Sequence, residues 1–262
     1  MTKENASTYV FFRNDDVRHS LDQSLIDLTM LCMDHKVPIS HAVEPANVTH
    51  EVSEWLIGMK KQFPDLIEII QHGYNHNLKN PTKKMEFGGT RGYQEQYEDI
   101  KKGKVIMDEI FGNLWDPIFT FPYGTYNEQT LKAIDQLGYA AISSKVKFNY
   151  KGRLKNTVGR ILQKDILFDK KINYHPDIRY GYKFKEISVS ANIIKQYIGV
   201  STAEHYPLED ILKQIRIASV HTYIIGVLFH HRFHADHLNL IADLITALKD
   251  KGYFFSKLGD MV

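Results

Sequence analysis

Short apolar runs alternate along most of the chain with stretches that are apolar at every third or fourth position. Residues 9–12, 38–43, 66–70, 118–121, 139–143 and 222–229 are short, β-rich and bounded by polar or turn-forming residues, which predicts buried strands. Helical spacing fills the gaps between them. One helix starts at about Ser20, whose hydroxyl can cap it, and carries Leu21, Leu25 and Leu28. A second has Val52, Trp55, Leu56, Met59 and Phe63 on one face and is stopped by Pro64. A third, longer one runs from Tyr93 to Ile110, with Gly112 placed to end it. Asn127 caps a fourth with Gly138 as its stop, and Pro207 opens a fifth that continues through Ile215. The last carries Leu238, Ile241, Leu244, Ile245 and Leu248, ends at Gly252 and precedes a strand-like stretch at 253–256.

Such alternation predicts an α/β fold, with parallel strands and the helices outside, as a barrel or an open sheet. Residues 145–199 depart from it. They have no clean period, many Lys, Arg and Tyr residues, and one alternating run at 186–190. They read as an elaborated insertion in a single domain spanning 1–262, its basic character that of a solvated face.

Composition narrows the picture. The chain has 262 residues and is 43% hydrophobic, enough for one sizeable core. A net charge of +2 gives no signal for a polyanion, so no nucleic-acid partner is expected. The single cysteine, Cys32, falls at helical spacing with Leu21, Leu25 and Leu28, and excludes an intrachain disulfide framework or a cysteine-rich metal site. The opening residues lack an apolar signal core, and no run approaches the roughly 20 apolar residues of a membrane span. The expectation is a cytoplasmic protein with no membrane span.

The unusual polar residues fall where predicted strands stop: Asp15-Asp16, His41 and Glu44, His72 and His76, Tyr123-Gly124, and His230-His231. Parallel α/β barrels build their active sites on that face, because the loops there converge on one mouth. Each cluster alone has an ordinary reading, as a helix cap, a turn or a structural histidine. The coincidence at several strand ends outweighs those readings. An acidic pair and a histidine pair together make a tripod of metal ligands with one carboxylate left over, the donor set of a metal-dependent hydrolase.

Four motifs then resemble those of the polysaccharide deacetylase family, the carbohydrate esterases that share the NodB homology domain. Arg13-Asn14-Asp15-Asp16-Val17, after Phe11-Phe12, is similar to the family's Thr-Phe-Asp-Asp-Gly. His72-Gly73-Tyr74-Asn75-His76 is similar to His-Ser/Thr-x-x-His, and Thr120-Phe121-Pro122-Tyr123-Gly124 to Arg-x-Pro-Tyr-Gly. Val227-Leu228-Phe229-His230 is similar to the closing Leu-x-Leu-His, so the resemblance spans 9–256.

It implies a distorted (β/α) barrel. It also implies a divalent ion held by Asp16, His72 and His76, zinc foremost, with cobalt, nickel or iron suited to the same donors. Asp15 is then the general base that takes a proton from the activated water. The Tyr123 backbone N–H is the donor to the oxyanion, and His230 is the acid that protonates the leaving amine. His231 competes with His230, because neighbours on a strand face opposite ways; the motif register favours His230. His231, His234 and His237, three residues apart, raise a second metal site as a lesser reading.

The match departs from the family in four places. Thr120 stands where the third motif has an arginine that orients the catalytic carboxylate, and Arg160 is taken as the substitute cation. Val17 replaces a glycine, and Gly73 replaces a hydroxyl residue together with its loop hydrogen bond. No fourth, Asp- and Trp-bearing motif is visible, and Asp165 and Asp169 do not align with one. The fragment from Val43 to Thr49 is similar to a stretch of divergent members. The implied function is metal-dependent removal of an acetyl group from an N-acetylated sugar or glycan. The alternatives are an amidase acting on a small non-sugar amide, and a catalytically silent glycan-binding module.

Overall fold

The computed structural model describes residues 7–79, 84–146, 148 and 181–262, with isolated positions between 154 and 171. Along the chain run β1 (Tyr9–Val17), α1 (Gln23–Asp34), β2 (Ile39–Val43), α2 (His50–Gln62), β3 (Ile67–His72), α3 (Tyr93–Phe111), β4 (Ile118–Thr120), α4 (Glu128–Gln136) and β5 (Ala141–Ser143). Two short pieces follow, β6 (Ile166–Leu167) and β7 (Lys170–Lys171). Then come β8 (Lys185–Glu186), β9 (Val189–Asn192), β10 (Ile194–Tyr197), β11 (Ala203–His205), α5 (Leu208–Ser219), β12 (Ile224–Phe229), α6 (Leu238–Asp250) and β13 (Phe254–Phe255).

The main sheet is ordered β8-β5-β4-β3-β2-β1-β12-β9, with parallel pairing throughout, and β13 adds to β1. Its two ends meet. Val189 of β9 donates to the Ser144 carbonyl and accepts from Val146 N–H, both at 2.8 Å, while β9 also pairs with β12. The sheet therefore curls into the distorted (β/α) barrel that the alternation and the resemblance imply. The run at 186–190, expected inside an insertion, supplies the closing wall.

The strands are apolar on both faces because helices cover the outside and side chains fill the inside. After Tyr9, every residue of β1 is buried. That strand extends beyond the expected 9–12, since Arg13 to Asp16 are polar yet enclosed. Similarly β3 runs on to include His72. Leu25, Leu28, Cys32, Leu56, Met107, Ile134, Ile215, Ile245 and Leu248 form the helix side of the main core.

Helix signals were right in kind and off by a residue or two. Asp22, rather than Ser20, caps α1 by accepting from Leu25 N–H at 2.9 Å. Asn127 and Thr130 form a reciprocal capping box on α4. Gly112, at φ 55°, closes α3. The antiparallel β10–β11 hairpin was not foreseen, because its residues alternate weakly. Among the described residues, no helix is long and apolar enough to cross a membrane.

Candidate metal centre

The C-terminal ends of β1 and β3 bring Asp16, His72 and His76 together, one ligand atom from each lying within 4.8 Å of the others. Asp16 Oδ1 is 3.2 Å from Nε2 of both histidines. Two donors bound to one tetrahedral ion at about 2.0–2.1 Å stand roughly 3.3 Å apart, so the spacing fits a divalent cation. The donor set of one carboxylate and two imidazoles fits it chemically as well. Asp16 and His72 are buried and His76 is half-buried.

The electrostatics agree with a cation site. Burial works against the Asp16 carboxylate, but hydrogen bonds from His72 and His76 and the nearby His230 hold it well below its ordinary range. For His72, burial disfavours the charged ring, but Asp15, Asp16 and Glu44 outweigh it and raise its affinity for a proton. A proton and a metal ion thus compete for the same place. Thr120 decides the tautomer. Its hydroxyl donates to the Gln71 carbonyl at 3.1 Å, so at 2.6 Å it accepts from His72 Nδ1–H and leaves Nε2 for the ligand.

Asp16 has φ 63°, and the β1–β2 register shifts between Asn14 and Val17. That bulge breaks the strand's alternation, and both carboxylates act on the histidines: Asp15 on His72 and His230, Asp16 likewise. Asp15 is clamped by Arg13, whose Nε donates to Oδ1 and Nη2 to Oδ2, each at 2.8 Å. Arg13 Nη1 is fixed in turn by the Ser143 carbonyl at 2.7 Å and hydroxyl at 2.8 Å.

Arg13 is therefore a cation on the Asp15 carboxylate; the expected Arg160 lies outside the described residues, along with Asp165 and Asp169. Arg13 occupies the first position of the first motif. Two residues along a strand return to the same face, so an i, i+2 pair was the available signal. Arg232 was also missed; its Nη2 donates to Asp16 Oδ2 at 2.8 Å, leaving Oδ1 to face the histidines.

Tyr123 sits in the left-handed region at φ 60° within a tight Pro122–Gly124 turn. Its ring centroid is 4.3 Å from that of His76, and its hydroxyl donates to the His76 carbonyl at 2.8 Å. Among the described residues, three of the four non-glycine positions with positive φ are Asp16, His76 and Tyr123, so backbone strain concentrates at this mouth.

At the end of β12 the two histidines part. His230 faces the site, where its charge is coupled to Asp16, Asp15 and His72. His231 turns away, its backbone N–H donating to Asn14 Oδ1 at 2.8 Å and its ring near Asp22. Burial pushes His230 down to about 4 despite the pull of Asp16 and Asp15, so its ring is neutral near pH 7. Tyr197 of β10 approaches its Nδ1 at 3.4 Å. His234 accepts from the His230 N–H at 3.1 Å and meets His205 at 2.9 Å. No second metal cluster forms from His231, His234 and His237; among the described residues, only Asp16, His72 and His76 group in that way. His41 is structural, held between Asn14 and Thr29, with burial pushing it down to about 3.

The curled (β/α) barrel thus carries a candidate divalent-metal centre at the mouth formed by the C-terminal ends of its strands. Residues 46–142 match the family model for polysaccharide deacetylase. No curated protein matches. Solved structures match across nearly the whole chain. A Mycobacterium smegmatis protein assigned to the polysaccharide deacetylases is 11% identical with a TM-score of 0.64, covering 100% of this chain and 91% of its own. A family 4 acetyl xylan esterase from Clostridium thermocellum, in complex with a cobalt ion, is 12% identical at TM-score 0.54, covering 97% and 89%. A pseudoenzyme of carbohydrate esterase family 4 from Bacillus anthracis is 12% identical at TM-score 0.52, covering 97% and 65%. At such identities the structural likeness speaks for the fold. The family-model match over residues 46–142 agrees with the resemblance to the polysaccharide deacetylase family that the motifs carry.

Proposed function

We propose that the protein is a metal-dependent deacetylase that hydrolyses the amide of an N-acetylated sugar or glycan. The observation carrying this reading is the buried, Arg13-clamped Asp15 beside the convergent Asp16, His72 and His76. Asp16 Oδ1 and the two Nε2 atoms would hold the ion, zinc foremost. Such an ion, when bound, acidifies water towards neutrality and polarises a carbonyl.

The chain's own groups do the rest. Asp15 takes the proton of the attacking water as its oxygen bonds to the amide carbon. The Tyr123 N–H donates to the carbonyl oxygen as it becomes anionic. His230 is neutral at rest and gains a proton within the cycle, when the anionic oxygen adds to the pull of Asp15 and Asp16. The proton Asp15 removed from water is thereby passed to the leaving nitrogen, the C–N bond breaks, and acetate and a free amine are released.

A silent module on the same fold is the second reading, favoured by the pseudoenzyme among the structural neighbours. Against it stands the buried Arg13–Asp15 pair, costly to desolvate and without use in a mere binder. The test is acetate release from N-acetylglucosamine oligosaccharides after loading with zinc or cobalt. Saturable glycan binding with no acetate released would sink the enzyme reading. Turnover of small amides alone would keep the chemistry and replace the substrate.

A further inference from the structure

The loop between the two histidine ligands is tethered at nearly every backbone polar group. Gly73 N–H donates to the Thr120 carbonyl at 3.0 Å, and Gln71 Nε2 donates to the Gly73 carbonyl at 2.8 Å. Ala46 N–H reaches the Tyr74 carbonyl at 3.0 Å, Asn47 Nδ2 the Asn75 carbonyl at 2.8 Å, and the Tyr123 hydroxyl the His76 carbonyl at 2.8 Å. The N–H groups of Tyr74 and Asn75, at the loop's centre, both go to one atom. That atom is Glu86 Oε1, at 3.0 and 2.8 Å.

Glu86 is fully buried, and among the described residues its Oε2 has no hydrogen-bond partner. A Cβ on Gly73 would stand 2.4 Å from that Oε2 and 2.4 Å from Pro122 Cγ. The carboxylate thus fills the space a side chain at position 73 would take, and Gly73, at φ 58°, suits the same place by conformation. The loop's central N–H groups are thus satisfied by a side chain from outside the motif.

We propose that Glu86 is a positioning residue for the metal centre, a buried carboxylate that sets the 73–76 loop so that His76 Nε2 converges with His72 Nε2 and Asp16 Oδ1. It touches no ligand atom itself. It fixes the backbone from which His76 projects, and His76, at φ 55°, cannot hold that strained conformation by local preference alone. This inference rests on the reading of Asp16, His72 and His76 as a metal centre, but not on the substrate or the reaction.

The test is metal affinity, measured by competition titration of zinc and by the visible spectrum of the cobalt-loaded protein. Glu86→Ala removes both hydrogen bonds, and Glu86→Asp keeps the charge while withdrawing it by one methylene. Each is expected to weaken affinity by about 10–100-fold and to change the cobalt spectrum, as is usual for groups that orient ligands. Glu86→Gln retains an acceptor at Oε1 and should stay within about threefold of wild type, well short of that range. A merely structural role would lower the melting temperature of all three without moving the dissociation constant of the folded protein. Glu86→Asp or Glu86→Ala, folded and binding with wild-type affinity and spectrum, overturns the proposal. Folded wild-type protein that takes up neither ion would remove the metal-centre reading and this inference with it.

Discussion

Removing Arg13 should cost both stability and turnover, and the size of the first follows from its surroundings. Arg13 and Asp15 are 3% and 4% exposed, so neither charge is relieved by water once its partner is lost. Two unit charges about 4 Å apart at an effective dielectric near 20 attract by about 4 kcal/mol. Breaking a buried pair from one side typically costs about 3–5 kcal/mol, because the survivor stays uncompensated. Arg13→Met is expected to fall in that range. Asp15→Asn should cost less, since Arg13 keeps its two bonds to Ser143. In the double variant no charge is stranded, so its loss should be smaller than the sum of the singles by about 2–3 kcal/mol. The assay is urea unfolding of the metal-free protein followed by circular dichroism. Arg13→Lys, which retains the charge but not the fork, should keep its metal and lose turnover at nearly unchanged KM. Additivity within about 0.5 kcal/mol would refute the clamp, because uncoupled sites add.

Other expectations separate the roles within the site. Asp15→Asn should retain metal and lose turnover by about 10²-fold or more, while His76→Ala loses metal; equal metal loss in both would mean the two acidic residues are misassigned. Thr120→Val frees His72 to flip its tautomer, and zinc affinity should fall by about 10–100-fold, with no change counting against the tautomer lock. Glu68, enclosed beneath Ser40, Leu258 and Gly259, is pushed up to about 7 by burial. A raised carboxyl binds its proton more tightly when folded. Its stabilisation is therefore complete below the unfolded value of about 4.3 and is lost as pH rises through about 7, by about 4 kcal/mol. Thermal unfolding from pH 4 to 9 should show that decline in wild type but not in Glu68→Gln, and a parallel decline in both would exclude Glu68 as its source.

Much of this molecule is local and therefore legible in one dimension. Strand and helix periods, the Asn127 cap, and Gly112 as a stop follow from interactions among residues a few positions apart. The candidate ligands could be read because their motifs end strands, and parallel strands in a barrel deliver their C-terminal ends to one mouth. The supporting residues could not. Arg13 lies in the first motif in plain view, but it becomes the clamp only when barrel closure brings Ser143 to its Nη1, 130 positions away. Likewise Glu86 sits in a stretch with no motif, and nothing local says that its carboxylate will fill the space left by Gly73. The direction of His231, away from the candidate metal centre and onto Asn14, depends on how β12 lies against β1. A strand's period and a turn's residues are written into neighbouring positions. A buried charge must find its partner wherever the packed chain places one, so the sequence by itself determined the candidate ligands, and only the tertiary structure decided what holds them.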